Sequence, residues 1–167
     1  SALAYAVEQH LEWQWSVLAL LSALCIQIGT NLVNDSLDFS KGADGQDRLG
    51  PQRASSSGWL SAKNVLYVGL GFFVVALLLG IPLVLRGGWP IVIIGLVSLV
   101  LGYAYTGGPF PLAYLGLGDL FVVLFFGLVA VGGVYYLQTL SFALDALVAG
   151  LQVGFLSTVL IAINNAR

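Results

Sequence analysis

Charge is the scarcest property of this sequence. Only 8% of its 167 residues are Asp, Glu, Lys or Arg, against about a quarter in soluble domains, which excludes a water-soluble globule. Six basic residues against eight acidic ones leave a net charge of -2, so there is no Lys/Arg-rich face to neutralise phosphates, and the composition argues against nucleic-acid binding. The one cysteine, Cys25, cannot close an internal disulfide; it lies in an apolar run and reads as a small buried hydrophobe. In excess are apolar residues, at 59%, and glycine, with 21 copies, and the mean hydropathy is +0.95. Glycine is more frequent in membrane-spanning helices than in soluble ones, so the composition describes an all-α, multi-span transmembrane helical bundle.

A helix needs about 20 mostly apolar residues to cross a hydrocarbon core of about 30 Å. Charge-free stretches predict five spans, over 13–34, 64–85, 90–105, 120–144 and 146–166. The third is cut from a longer uncharged run by the turn-rich segment YTGGPFP at 105–111. A closed β-barrel would carry polar residues at every second position, whereas these runs are apolar all round.

Lys and Arg collect in cytoplasmic loops. Lys41, Arg48, Arg53 and Lys63 all fall between the first two spans. With that loop in the cytoplasm, alternation leaves Arg86 alone outside, returns 105–117 to the cytoplasm and places Arg167 inside. Residues 1–12, with Glu8 and His10, then form an external solvated flank. Tyr135, Tyr136, Gln138 and Trp89 are expected in the interfacial belt of the outer side, with Asp145 as a helix cap there. Gly150-x-x-x-Gly154 reads as a close-packing motif.

The only long polar segment is NLVNDSLDFSKGADGQDRLGPQR, residues 31–53. Its aspartates, Asp35, Asp38, Asp44 and Asp47, are hard oxygen donors. Spacings of three and four put Asn31, Asn34, Asp35 and Asp38 on one helical face if the first span continues through them. Mg²⁺ is typically held by one or two carboxylates together with substrate phosphates and waters, so this cluster beside Lys41, Arg48 and Arg53 suggests a metal-diphosphate site. A solvated loop with capping Asn and Asp residues is the plainer reading. Asn31 and Asn34, however, begin within the apolar span, where polar groups are expensive and often functional.

Residues 34–53, NDSLDFSKGADGQDRLGPQR, resemble the first aspartate-rich motif, NDxxDxxxD, of the UbiA-type intramembrane prenyltransferases. They are closer still to the MenA-type branch, the 1,4-dihydroxy-2-naphthoate polyprenyltransferases, with its pattern NDxxDFxKGxDxxxRxGPxR. The stretch YTGGPFPLAYLGLGDLFVVLFFGLVAVGGVYYLQT, residues 105–139, is similar to the same branch. Where the general motif has its third Asp this chain has Gly42, and Asp44 stands nearest, as in the MenA branch. Asn164-Asn165-Ala166-Arg167 matches the opening of that branch's second motif, NNxRD. On this resemblance the chain is one transmembrane prenyltransferase domain, residues 1–167, shortened at both ends, with its spans corresponding to helices two to six of the family's nine. It then carries one metal half-site of two, and is expected to be inactive alone.

The resemblance implies Mg²⁺-dependent transfer of a polyprenyl group from polyprenyl diphosphate to 1,4-dihydroxy-2-naphthoate, with loss of carbon dioxide and diphosphate, in menaquinone or phylloquinone synthesis. Asn34, Asp38 and Asp44 are then the metal ligands, with Asp35 and Asp44 in a supporting or water-mediated role and Asp35 and Asp38 counted as catalytic. Lys41, Arg48 and Arg53 would clamp phosphate or the acceptor carboxylate, and Asn31, Asn164, Asn165 and Arg167 would bind substrate. Tyr103 and Tyr105 offer ring faces to a developing allyl cation, with interfacial anchoring as the alternative. Asp119 is either a helix N-cap or a group that orients the acceptor or takes a proton. The setting implied is a multi-pass protein of the bacterial cytoplasmic membrane, or of a plastid membrane, with the reactive loops facing the cytoplasm. A same-fold alternative is transfer to a hydroxybenzoate or homogentisate. Alternatives of another class are a carrier and a non-catalytic membrane subunit; no Asp, Glu, Lys or Arg lies within the spans, which disfavours a carrier.

Overall fold

A computed structural model of the chain describes residues 1–41, 55, 60–105, 107 and 118–165, without the side chains of 161, 164 and 165. Among the described residues the architecture is helical throughout. A short α1 (Ala2–Glu8) precedes α2 (Trp13–Ser40), α3 (Ala62–Gly87) and α4 (Trp89–Ala104). A continuous rod follows, made of α5 (Gly118–Val122), a π-helical segment (Val123–Val129) and α6 (Ala130–Thr139), and α7 (Leu144–Asn165) completes the bundle. The helices α2 and α3 and the Gly118–Thr139 rod are each long and apolar enough to cross a membrane. The helices α4 and Leu144–Leu160 of α7 are shorter and apolar.

The helix α2 has 28 residues, about 42 Å at 1.5 Å per residue, and so outruns a hydrocarbon core of about 30 Å. Its outer surface, including Leu20, Leu21 and Leu24, is exposed, as are Leu77, Leu78 and Leu85 of α3. Apolar side chains pointing outward are what a lipid solvent requires. Helix association in lipid rests on close packing rather than on apolar burial, so small residues mark the contacts. A Cβ on Gly29 of α2 would lie 2.7 Å from the Phe73 ring and 2.9 Å from the Gly69 carbonyl of α3. Gly127 of the π segment packs in the same way on the backbone of Gly150 and Gly154 in α7, where a Cβ on Gly154 would sit 2.9 Å from Val123 Cα. Gly150-x-x-x-Gly154 is thus a packing motif, as its spacing suggests.

Helix ends follow local chemistry. Ser61 caps α3 by accepting from the Asn64 amide at 3.3 Å. One residue, Gly88, ends α3 and starts α4 with φ 66° and ψ -148°, and Pro90 follows in the first turn of α4. That backbone conformation is essentially restricted to glycine.

Five sequence expectations are corrected: the end of the fourth span, the solvated first flank, and the belt positions of Tyr135, Tyr136 and Gln138. The fourth span stops at Thr139 rather than 144, because Leu140 turns left-handed at φ 53° and the Thr139 and Ser141 side chains bond across the turn. The first flank is partly structured: Ala4 of α1 is fully buried against Tyr135 and Ala146, although Glu8 and His10 are exposed. Tyr135 is not in an interfacial belt but 5% exposed in that cluster, and Tyr136 donates to the Gly87 carbonyl at 3.0 Å. Gln138 points inward to Glu12 and Ser16. Trp89 is exposed, as a belt residue would be.

Candidate functional site

The first span continues as helix past its apolar stretch to Ser40, which carries the Asn/Asp cluster on regular backbone. Helical spacing then decides which side chains turn inward. Asn34, Asp35, Ser36 and Asp38 are all buried, with exposures of 8, 6, 3 and 9%, whereas Asn31 and Lys41 are exposed. Four buried polar side chains within little more than one turn at the end of a membrane helix are costly unless each group is satisfied. Ser36 is satisfied, donating to the Ala62 carbonyl at the start of α3 at 2.8 Å. Asp35 Oδ2 accepts from the Ser55 amide at 3.4 Å. Among the described residues, Asp35 Oδ1 and Ser55 Oγ are buried with no hydrogen-bond partner.

Other helix ends gather at this end of the bundle. A Cβ on Gly102 of α4 would lie 2.6 Å from Thr30 Oγ1, so the Tyr103–Tyr105 end of α4 lies beside α2 just before Asn31. Both tyrosines are partly exposed, at 44 and 36%. The Tyr105 hydroxyl lies 3.8 Å from where a Cβ on Gly118 would be, which brings the start of α5 and Asp119 alongside. The Asp119 side chain is exposed in the first turn of α5, and its carbonyl accepts from Thr158 of α7 at 3.5 Å. From Thr158, α7 runs on to Asn164 and Asn165 on the same side. The structure therefore brings the ends of α2, α3, α4, α5 and α7 together. Asp44, Asp47, Arg48, Arg53 and Arg167 lie outside the described residues, as do the side chains of Asn164 and Asn165.

The donor set suits a hard divalent cation. Two carboxylates and one amide, Asp35, Asp38 and Asn34, are buried within one helical turn, and one carboxylate oxygen lacks a partner. Such an oxygen is destabilising unless a proton or a cation meets it. Mg²⁺ accepts one or two carboxylates and completes its shell with waters and phosphate oxygens. The residues present fit it.

Sequence reasoning missed two features. Ser55 is buried against Asp35, and nothing in its local sequence, ASSSG at 54–58, marks it out from its neighbours. The second feature is a polar clasp at the opposite end of the bundle. Arg86 pairs with Glu12 at 2.8 Å, donates to the carbonyls of Leu137 and Gln138, and lies 5.5 Å above the Trp15 ring. Gln138 Nε2 donates to the Glu12 carbonyl at 3.0 Å and to Ser16 at 2.9 Å. Glu12 and Arg86 each flank a span, and alternation puts both on one side, which was the available signal.

A helical membrane bundle with a buried carboxylate-amide cluster at one end defines an integral membrane protein with a polar site at the membrane edge. The UbiA prenyltransferase family matches residues 1–167, and the chain belongs to it. It is 37% identical over 174 residues to the 1,4-dihydroxy-2-naphthoate octaprenyltransferase of Haemophilus influenzae, covering 100% of this chain and 56% of the relative. It is 34% identical to the protein of the same name from Bacillus subtilis, over 89% of this chain and 48% of the relative. It is 32% identical to a 2-carboxy-1,4-naphthoquinone phytyltransferase of Synechocystis, over 96% and 52% respectively. The chain thus spans about half the length of these relatives. No solved structure matches it.

Proposed function

We propose that the protein to which this chain belongs is an integral membrane enzyme that transfers a polyprenyl group from polyprenyl diphosphate to 1,4-dihydroxy-2-naphthoate, in the formation of menaquinone or phylloquinone. The observation that carries this reading is the buried Asn34–Asp35–Asp38 cluster, with its unpartnered carboxylate oxygen, where five helix ends meet. The names of the relatives supply the substrates. The distribution of Lys and Arg supports a cytoplasmic setting for this end.

In the reaction the allylic C–O bond to diphosphate breaks, a C–C bond forms to the ring carbon bearing the carboxylate, and carbon dioxide leaves. Asn34, Asp38 and Asp44 would hold Mg²⁺, with Asp35 supporting them. Bound there, the cation supplies charge neutralisation for the departing diphosphate. The chain's own residues do the rest. Lys41, Arg48 and Arg53 clamp phosphate oxygens or the acceptor's carboxylate. Asn31, Asn164, Asn165 and Arg167 extend the diphosphate-binding surface from the other helix ends. Tyr103 and Tyr105 present electron-rich faces to the allyl cation, and Asp119 orients the hydroxynaphthoate or takes its proton.

The experiment is transfer of radiolabelled polyprenyl diphosphate by membranes containing the full-length protein, with and without Mg²⁺, and with 4-hydroxybenzoate as competing acceptor. Metal-dependent prenylation of the naphthoate is expected. Transfer to hydroxybenzoate alone would reassign the acceptor, and transfer to neither would overturn the enzymatic reading.

A further inference from the structure

Gln27 lies midway along α2, about 20 Å from either end. The residues around it, ALCIQIGT at 23–30, are otherwise apolar or small. Its side chain is exposed, and no described residue bonds to it. A primary amide carries two donors and an acceptor that hydrocarbon cannot meet. An unpartnered amide at this depth is expensive, and it marks a place where something polar arrives.

Helical geometry decides what that place adjoins. At about 100° per residue, Asn31, Asn34 and Asp38 lie within about 40° of Gln27 around the helix, so Gln27 continues their face toward the middle of the bundle. Gly29, about 200° away, is the residue that packs on Phe73 and Gly69 of α3, and the face of Gln27 therefore turns away from α3. Thr30, about 60° to one side, meets Gly102 of α4, which sets the Tyr103–Tyr105 end of α4 beside the same face. Along the axis Gln27 is about 6 Å deeper than Asn31 and about 10 Å deeper than Asn34.

Of the two substrates, only one has a polar group for that depth. The donor's polar atoms are all in its diphosphate, which belongs at Asn34 and Asp38, and the rest of it is hydrocarbon. The acceptor carries a carboxylate on the reacting carbon, one hydroxyl beside that carbon and a second hydroxyl farther round the ring. With the reacting carbon against the allylic carbon, the second hydroxyl is the polar group farthest from the bond being made. We propose that Gln27 hydrogen-bonds this remote hydroxyl and so selects a dihydroxylated acceptor over a monohydroxylated one. The inference rests on the function proposed above and adds a specificity-determining residue to it. An amide both donates and accepts, so it meets a hydroxyl in either orientation. An acceptor without that hydroxyl leaves the amide unpaired, which is how hydrogen-bonding sites reject analogues.

The test uses the full-length protein in membranes, with 1,4-dihydroxy-2-naphthoate and with 1-hydroxy-2-naphthoate, which lacks the remote hydroxyl. Gln27→Leu replaces the amide with apolar bulk. It is expected to lower kcat/KM for the dihydroxy acceptor by about tenfold, the scale of one buried hydrogen bond, and to leave the KM for polyprenyl diphosphate unchanged. A readout independent of turnover is direct binding of the two acids to the purified protein in detergent, with no donor present. The parent should hold the dihydroxy acid about tenfold more tightly than the monohydroxy acid, and Gln27→Leu should hold the two alike. A parent without that preference, or a Gln27→Leu variant that keeps it, overturns the proposal. So does an equal loss for both acids, the outcome expected if Gln27 instead bonds another helix of the full-length protein. If the parent shows the preference, the variant loses it and neither acid is prenylated, the acceptor site stands and the proposed reaction falls.

Discussion

Asp38 and Asp35 sit three residues apart on α2 and are both buried, yet the proposed function gives them different tasks. Asp35 holds the Ser55 amide through one oxygen and, among the described residues, keeps the other without a partner, whereas on the proposed function Asp38 would meet the cation directly. In the full-length protein, Asp38→Ala should abolish Mg²⁺-dependent prenyl transfer and leave membrane insertion intact, as read by turnover assays beside protease-protection mapping of the loops. Normal turnover would remove Asp38 from the metal site. A second prediction concerns Ser55. Ser55→Ala retains the backbone amide that meets Asp35 and removes a buried hydroxyl that has no partner, so a purely structural Ser55 predicts a thermal midpoint equal to or above that of the parent. A rise in the KM for the diphosphate donor at unchanged kcat would instead show that the hydroxyl meets the substrate.

At the scale of elements, the π segment and α7 approach each other closely through their backbones, with Gly127, Gly150 and Gly154 facing one another. Any side chain at Gly127 forces the two helices apart. Gly127→Val is expected to destabilise the full-length protein by about 1–3 kcal/mol, the usual cost of overpacking, measured as a lower midpoint in detergent thermal unfolding. An unchanged midpoint would mean that the π segment can yield. A π-helical segment is not legible in VLFFGLV, because its sequence is equally suited to an α-helix; the departure follows from the close approach to α7. The spans themselves were largely legible, because lipid tolerates few charges within a helix. Where neither a charge nor a Gly/Pro turn marks an end the reading fails, and Thr139 is that case: a left-handed leucine does what glycine would have announced.

For the whole molecule, one end is a polar site and the other a polar clasp, with apolar helices between them. Removing the clasp cation by Arg86→Met would take the Arg86 donor from Glu12 Oε1 and from the carbonyls of Leu137 and Gln138, while Glu12 Oε2 keeps its bonds from Gln14 and Trp15. A fall in the thermal midpoint is expected, with a non-additive cycle against Glu12→Gln, since the two side chains share one bond. Additive effects would show that the pair carries no coupling. Of the two ends, the aspartate end was readable because Asn31, Asn34, Asp35 and Asp38 are polar where the pattern is apolar, and its motif resembles a known family. The clasp was not, because Tyr135, Tyr136 and Gln138 are the residue types of a membrane interface whether they face lipid or protein. Which way they turn depends on partners as far away in sequence as Glu12.

Gly88 joins α3 and α4 in a single residue of glycine-only geometry. Two helices joined this tightly cannot separate by more than a few ångströms at that end. Folded back on each other, they leave their free ends, at Ala62 and Ala104, on the same side of the bundle. Arg86, next to the joint, is thereby held at the end of the bundle where Glu12, Leu137 and Gln138 meet it, so one glycine fixes where the clasp can close.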